Sequence, residues 1–448
     1  MNIYDWTGNP FVDAGIAAIL AVSKKKAPQT IDLKDIEECI NIVQKLYLTE
    51  KWKKNLYSVF PNNPITNASV KNSREVYEKF IRILFDSLKE RGTHGNCIAC
   101  GSRDADQKAN RMHLPLTGYE GSHYFSFKAK GNDLCSACLL AIQFSPLTFF
   151  ACGKLALIHS NSPKVMIYWA KKCIKNARQQ LVVKHFDGCL NEGFINPINA
   201  LFKIATDLVQ IREENWAEEN ASIRIYHFTN YNQGPDLDIY DLPAPVFNFI
   251  ANARIAGGLK YWQQIVKKGY LRKTDTGDND DAIKKYKNDV FIKLLNGQSI
   301  LLYFYNTQSK KVTGNWQFLK IYLKEVLKMD EKRIQTIRNI GDEISELIKS
   351  SPNGKKRLSQ LEMAKNYHTC RMVLLRFVQD RVAQKSPTPL FTFDDYVESL
   401  FPEGANGWNE TRDLILFRIY ENLHQWLINE GIVPIEEDDD VEEEMNHN

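Results

Sequence analysis

Little in this 448-residue chain would hold it in a membrane. One stretch, Leu134–Gly153 (LCSACLLAIQFSPLTFFACG), carries no charge over twenty residues, which is the length of a transmembrane helix. It also contains Ser136, Gln143, Ser145, Pro146 and Thr148, and it opens on a thiol pair. A buried core segment is the better expectation. The N-terminus, MNIYDWTGNPFVDAG, has no basic leader followed by an apolar run and a small-residue cleavage site, so the expected location is the cytoplasm. No internal repeat is visible.

Catalytic signatures are missing too. HExxH, GxSxG and GxxxxGK[ST] do not occur; Gly188 and Gly193 have the glycine spacing of the last, but Phe194 stands where lysine is needed. Acids cluster at Asp236, Asp238 and Asp241 and again at Asp278, Asp280 and Asp281. Either cluster could bind magnesium, yet each sits among Gly and Pro, where Asp is ordinary turn chemistry. The expectation is a protein with no catalytic site of its own, and a metal-dependent nuclease is the alternative.

Positive charge is unevenly spread. Glu436–Glu444 (EEDDDVEEE) holds eight acids; the rest of the chain has 58 basic against 46 acidic residues, a net of +12. Before Met329 there are 44 basic and 31 acidic residues, and from Met329 to Ile435 there are 14 and 15. The excess therefore belongs to the first three quarters. It suits a polyanionic partner, because neutralised phosphates release condensed counterions, although a lysine-rich solvated surface would look the same.

Periodicity gives an α+β chain: a mixed N-terminal body with a cysteine-bearing insertion, then an all-helical C-terminal bundle. Helices are expected at Phe11–Val22, Leu33–Leu48, Val70–Arg91, Pro197–Arg212 and Pro245–Lys268. Strands are expected at His123–Lys130 (HYFSFKAK), Val165 (VMIYWA), Ser222 (SIRIYHFT) and Ser299 (SILLYFYN). Leu271–Asp281 reads as a surface loop. From Asn315 onward the pattern is helical, broken at Ser351–Gly354, Ser386–Pro389 and Pro402–Gly407. The domains expected are 1–328, with the insertion at about 92–150, a helical bundle over 329–435, and an acidic disordered tail over 436–448.

Cys97, Cys100, Cys135 and Cys138 form C-x₂-C-x₃₄-C-x₂-C. Two tight turns that each offer two thiolates match the tetrahedral demand of structural zinc. The intervening residues are poor in core formers, so a metal would supply stability that packing cannot. An iron–sulfur cluster or unrelated free thiols are the alternatives. Four thiolates leave zinc no open position, so it would act as a staple rather than a catalyst. His94, His113 and His123 lie in the same region as possible substitute ligands. Cys39, Cys152, Cys173, Cys189 and Cys370 follow no spacing and read as reduced core residues.

Between the pairs, Arg103, Lys108, Asn110, Arg111, Lys128 and Lys130 are interleaved with Tyr119, His123, Tyr124 and Phe125. Basic, amide and aromatic groups on a stapled loop could contact phosphates and base edges. Lys24, Lys25, Lys26, Lys267 and Lys268 are the other candidates for phosphate contacts.

TGNPFVDAG at Thr7–Gly15, CIAC and CSAC at this separation, and the overall length resemble the CXXC-CXXC family of CRISPR-associated proteins. In that family the chain would be the large subunit of a type I-B (Tneap subtype) Cascade surveillance complex. TGNPFVDAG itself reads as a Pro-containing turn feeding a helix whose Ala14, Gly15, Ala17 and Ala18 permit close packing. The resemblance implies binding to CRISPR RNA and target double-stranded DNA, beside RAMP-type backbone and foot subunits. It implies reading of the protospacer-adjacent motif, help in opening the duplex and stabilising the R-loop, and recruitment of a helicase-nuclease. A pure assembly scaffold without DNA contact is a further alternative. Large-subunit genes of this class can also yield small subunits from an internal start, and Met329 is the candidate here, because Asp330 and Glu331 behind it suit a new helix N-terminus.

Overall fold

A computed structural model describes residues 2–89, 95–117, 131–210, 220–231, 234–270 and 280–432. Asn9 starts the first helix, α1 (Pro10–Ser23): its side-chain oxygen accepts from Phe11 N at 3.1 Å and Val12 N at 3.2 Å. Pro10 occupies the first turn, where its missing N–H is no loss. Every residue from Val12 to Val22 is buried, so α1 is a central helix, apolar on all sides but for Asp13. Its small residues allow the close packing expected of them. At Gly15 a β-carbon would run into the backbone carbonyl of Ala141.

The helix α2 (Leu33–Leu46) opens with a capping box between Asp32 and Asp35. It is followed by α3 (Glu50–Tyr57) and α4 (Ser73–Asp86). Two short strands, β1 (Gln107–Ala109) and β2 (Asn132–Leu134), pair antiparallel just ahead of α5 (Ser136–Phe144). A 3-10 turn at Ser145–Thr148 leads to β3 (Phe150–Cys152). Together these elements account for the uncharged stretch from Leu134, which is core. Among the described residues no helix is long and apolar enough to cross a membrane.

After β4 (Lys154–Ser160) the expected strand VMIYWA is instead the first part of α6 (Pro163–Val183). Its β-branched and aromatic residues imitate a strand over six positions. Val165, Met166, Trp169, Ala170, Cys173, Ile174 and Ala177 are the buried stripe of a helix. The next elements are β5 (Leu190–Asn191), α7 (Pro197–Val209), β6 (Ile223–Tyr231) and β7 (Gly234–Leu242). The sheet runs β5-β3-β4-β6-β7, antiparallel except for the β3–β5 pair. Phe11, Phe149 and Phe228 meet edge to face at 5.6 to 6.1 Å and pin α1 to the sheet.

Two helices, α8 (Ala244–Ile255) and α9 (Leu259–Lys268), replace the single one expected over Pro245–Lys268. The break falls at Gly257, with φ 69°. Next come α10 (Asp280–Lys285) and α11 (Asp289–Leu295). SILLYFYN is not the strand expected: Leu301–Tyr303 is a 3-10 turn, and only β8 (Tyr305–Asn306) pairs, with β9 (Lys311–Val312). The remainder is helical as expected: α12 (Trp316–Glu325), α13 (Glu331–Ser350), α14 (Gly354–Glu362), α15 (Tyr367–Ala383) and α16 (Trp408–Asn429), with a π-turn at Asp395–Leu400. Ile334, Ile337, Ile340, Ile344, Leu347 and Ile348 form the buried face of α13.

The chain divides into two compact units, Met1–Phe247 with Arg272–Lys287, and Asn248–Leu271 with Asn288–Asn448. The first holds the sheet and the cysteine segment. In the second, Phe249, Trp262, Phe304, Phe318 and Tyr322 form an aromatic core, and Trp316 meets Phe417 of α16 at 6.1 Å. Met329 thus lies within the second unit, between α12 and α13. The expected strand His123–Lys130, most of the loop Leu271–Asp281 and the acidic tail 436–448 fall outside the described residues.

Candidate metal centre and basic groove

Two turns of different construction present the four thiols. In the first, Cys97 N donates to Arg103 O at 2.8 Å and Gly101 N to Cys97 O at 2.8 Å, closing a tight loop in which Gly101 takes φ 63°. Ile98 N donates to Asp133 O at 2.9 Å, which ties this turn to β2. In the second, Cys135 is the N-cap of α5, and its sulfur accepts from Cys138 N at 3.4 Å. Asp106 braces the same helix start: its Oδ1 accepts from Ser136 N at 2.6 Å and its Oδ2 from Ser136 Oγ at 2.5 Å. A helix N-terminus favours negative charge, which the Asp106 carboxylate supplies here.

The four sulfurs lie within 4.8 Å of one another. Tetrahedral zinc with Zn–S of about 2.3 Å would set its sulfurs roughly 3.8 Å apart, so the set converges on a volume of the right size. Cys97, Cys135 and Cys138 are buried and Cys100 is half-buried. Their protonation shows the strain of sharing one site. Hydrogen bonds from Cys135 and Cys138 pull Cys97 far below the ordinary thiol range, and one from Cys138 takes Cys100 down to about 5. Cys135 is pulled down by Cys138 but pushed up more by Cys97 and burial, to about 12. Cys138 is pushed far up by its hydrogen bonds to Cys100, Cys135 and Cys97. Crowded thiols disfavour one another's ionisation, whereas a divalent cation would let all four ionise. Among the described residues this is the one group of His, Cys, Asp and Glu side chains poised to hold a metal.

His113 is not in that group. Its ring stacks on Phe80 at 4.8 Å and burial lowers its pKa; His94 and His123 lie outside the described residues. The five other cysteines are buried and unbridged as expected, and burial pushes Cys152, Cys189 and Cys370 up to about 12.

Among the described residues, the basic side chains expected between the thiol pairs do not present one surface. Arg103 donates to the Asn2 carbonyl. Lys108 pairs across the β1–β2 ladder with Asp133. The Asn110 side-chain oxygen accepts from Met112 N at 3.0 Å, which makes it a turn former. Arg111 is only 6% exposed, which leaves little of it on the surface to meet a phosphate. Lys128 and Lys130, like Tyr119, Tyr124 and Phe125, lie outside the described residues. Lys25 is held by Asp32 at 3.0 Å and Asp35 at 2.5 Å. Lys268 is exposed, but its ammonium donates to Tyr303 O at 3.2 Å and Thr313 Oγ1 at 2.5 Å, and burial of that end lowers its pKa. Lys24, Lys26 and Lys267 are exposed.

Lys24 has company the sequence did not single out. A groove of about 500 Å³ runs between the end of α1 and the outer face of α6, lined by Lys24, Lys171, Lys175 and Arg178 with Val182 and Val183. Lys171 and Lys175 are one helical turn apart, exposed and without a carboxylate partner among the described residues. Their spacing was the available signal, obscured because the residues just before them, VMIYWA, read as a strand. The acids of β7 are engaged: Asp236 and Asp238 with Lys154, and Asp241 with Arg224.

Residues 90–150 match the family model described as CRISPR-associated protein (Cas_CXXC_CXXC). The match spans both thiol pairs and α5 and ends at the first residue of β3. It supports a CRISPR-associated protein of the CXXC-CXXC family. No curated protein and no solved structure matches the chain.

Proposed function

We propose that the chain is a non-catalytic large subunit of a type I-B CRISPR RNA-guided DNA surveillance complex, working in the cytoplasm. The observation that carries this reading is the buried four-thiol cluster inside the segment that matches a CRISPR-associated family. Zinc would hold that segment rigid. Beside RAMP-type backbone and foot subunits, the protein would read the protospacer-adjacent motif, help open the duplex, steady the R-loop and recruit the helicase-nuclease. Base pairing with the guide would carry sequence specificity, while protein contacts hold backbone and motif. The groove of Lys24, Lys171 and Lys175, cations without a carboxylate partner among the described residues, would suit such backbone contacts. The nuclease alternative is disfavoured because the β7 carboxylates are spent on Lys154 and Arg224.

Expression of the chain with its neighbouring genes and an affinity tag tests this. CRISPR RNA and backbone subunits should co-purify, and the complex should bind a matching duplex more tightly with a correct flanking motif than without. Purified chain that cleaves DNA with magnesium, or that recovers no RNA, would overturn the reading.

A further inference from the structure

In the first unit a cavity of about 370 Å³ opens where TGNPFVDAG meets the ends of β4 and β6. Its base is Asp13, 3% exposed. The carboxylate accepts from Thr7 N at 2.8 Å, Thr7 Oγ1 at 2.9 Å and Gly8 N at 3.0 Å, and it faces His159 Nε2 at 3.2 Å. Asp13 is therefore saturated and has no lone pair to spare for a metal ion. It also fixes His159 by one nitrogen, leaving Nδ1 without a protein partner among the described residues. Trp6 forms part of the wall, half-buried and stacked on no other ring among the described residues. Arg224 forms another part, with one guanidinium nitrogen on Asp241 at 2.6 Å. At the rim Ser222 N donates to Asn161 Oδ1 at 2.8 Å.

We propose that this cavity receives a single unpaired nucleotide with its base stacked on Trp6. The volume suits a small ligand. The Trp6 indole, packed on the core and lining the cavity, is a stacking surface that accepts any base, and His159 Nδ1 and Arg224 can meet a base edge. The charges nearly cancel, because Asp13 is enclosed by donors and Arg224 is shared with Asp241. A bare phosphate or a cation thus gains little here, and stacking supplies the affinity. The nucleotide comes either free from solution or turned out of a bound strand. Only the second source rests on the nucleic-acid function proposed above.

The test uses the full chain with two probes: free nucleoside monophosphates, and a single strand of about ten nucleotides carrying 5-iodouridine, long enough to cover one binding site. Irradiation should cross-link the strand to the peptide containing Trp6. Trp6→Leu should weaken strand binding roughly tenfold while Trp6→Phe keeps most of it, as stacking requires. Neither change should alter the salt dependence, which phosphate contacts would. Arg224→Met serves as a second variant if Trp6→Leu melts early. Monophosphates binding as tightly as the strand would assign the free source, and strand binding alone would assign the turned-out base; both support the cavity. Cross-links confined to other peptides, or folded Trp6 and Arg224 variants that bind like the parent, would overturn it. A Trp6 cross-link in a chain that never co-purifies with CRISPR RNA would keep the cavity and remove the complex. Trp6 variants without effect in an assembled complex would do the reverse.

Discussion

Gly15 of α1 packs directly on the backbone carbonyl of Ala141, one helical turn beyond Cys138 in α5. The N-terminal block and the second thiol pair are thus one packed unit, although more than a hundred residues separate them. A side chain at position 15 must push α5 away. Gly15→Val should cost about 1–3 kcal/mol through overpacking and lower the melting temperature. It should also speed release of the metal to a chelator, since α5 carries Cys135 as its cap. Unchanged melting and unchanged release would mean that the two helices are not coupled.

Metal content is the next expectation. Purified protein should carry about one zinc per chain, and Cys97→Ser with Cys135→Ser should abolish it. Amide exchange should then rise through β1, β2 and the turn at Cys97, which hold few buried apolar side chains, while β4 and β6 stay protected. Metal-free protein with an unaltered exchange pattern would refute the staple. Iron in place of zinc would be visible by colour and elemental analysis.

His113 gives a pH dependence with a definite sign. Burial against Phe80 lowers its pKa below the ordinary value of 6.5, so in acid the unfolded chain binds a proton that the folded chain refuses. Stability from this group is present above about pH 6.5 and is lost as pH falls through the folded value. His113→Phe keeps a ring against Phe80 but cannot titrate. Between pH 7 and 5 it should lose less stability than the parent in denaturant unfolding, which separates His113 from thiol protonation common to both.

The four-thiol cluster and the close packing of TGNPFVDAG were legible because spacing and residue size encode them locally. The surroundings of the basic residues were not. Arg111 looked like a phosphate ligand in a polar loop, yet it is buried, and nothing in local composition tells a structural cation from a solvated one. Lys171 and Lys175 were hidden because four β-branched and aromatic residues just before them, Val165, Ile167, Tyr168 and Trp169, outweighed the helical period. The Asp13–His159 pair joins residues far apart in sequence, a distance over which periodicity carries no information.

That contrast separates two sets of variants. Arg111→Ala should lower the melting temperature more than it weakens duplex binding, because it empties a buried site. Lys171→Gln with Lys175→Gln should leave melting within about 0.5 kcal/mol of the parent. Their effect should fall on duplex binding, with the log–log salt slope reduced by about 1.8 if both contact phosphates. The opposite pattern would return the nucleic-acid surface to the loop between the thiol pairs.

Met329 remains the expected start of a separate small subunit, and its surroundings say how that product should behave. Its side chain is 7% exposed and its N–H donates to Leu323 O at 3.0 Å, while Asp330 caps α13 by accepting from Arg333 N at 2.9 Å. A chain beginning at Met329 would keep that cap and the buried face of α13. It would lose Trp316, which covers Phe417 at 6.1 Å, and Tyr305, which covers Tyr420 at 6.0 Å. A product from this start should therefore need other copies or subunits to cover the exposed α16 face, and should be less stable alone than within the full chain. A tag after Asn448 in the expressed operon should reveal a second species of about 14 kDa, scaled from the chain's 51.7 kDa. Met329→Leu should remove that species while sparing the full-length fold, because the swap conserves buried volume and costs less than about 1.5 kcal/mol. Persistence of the short species in that variant, or its absence from the parent, would end the internal-start reading.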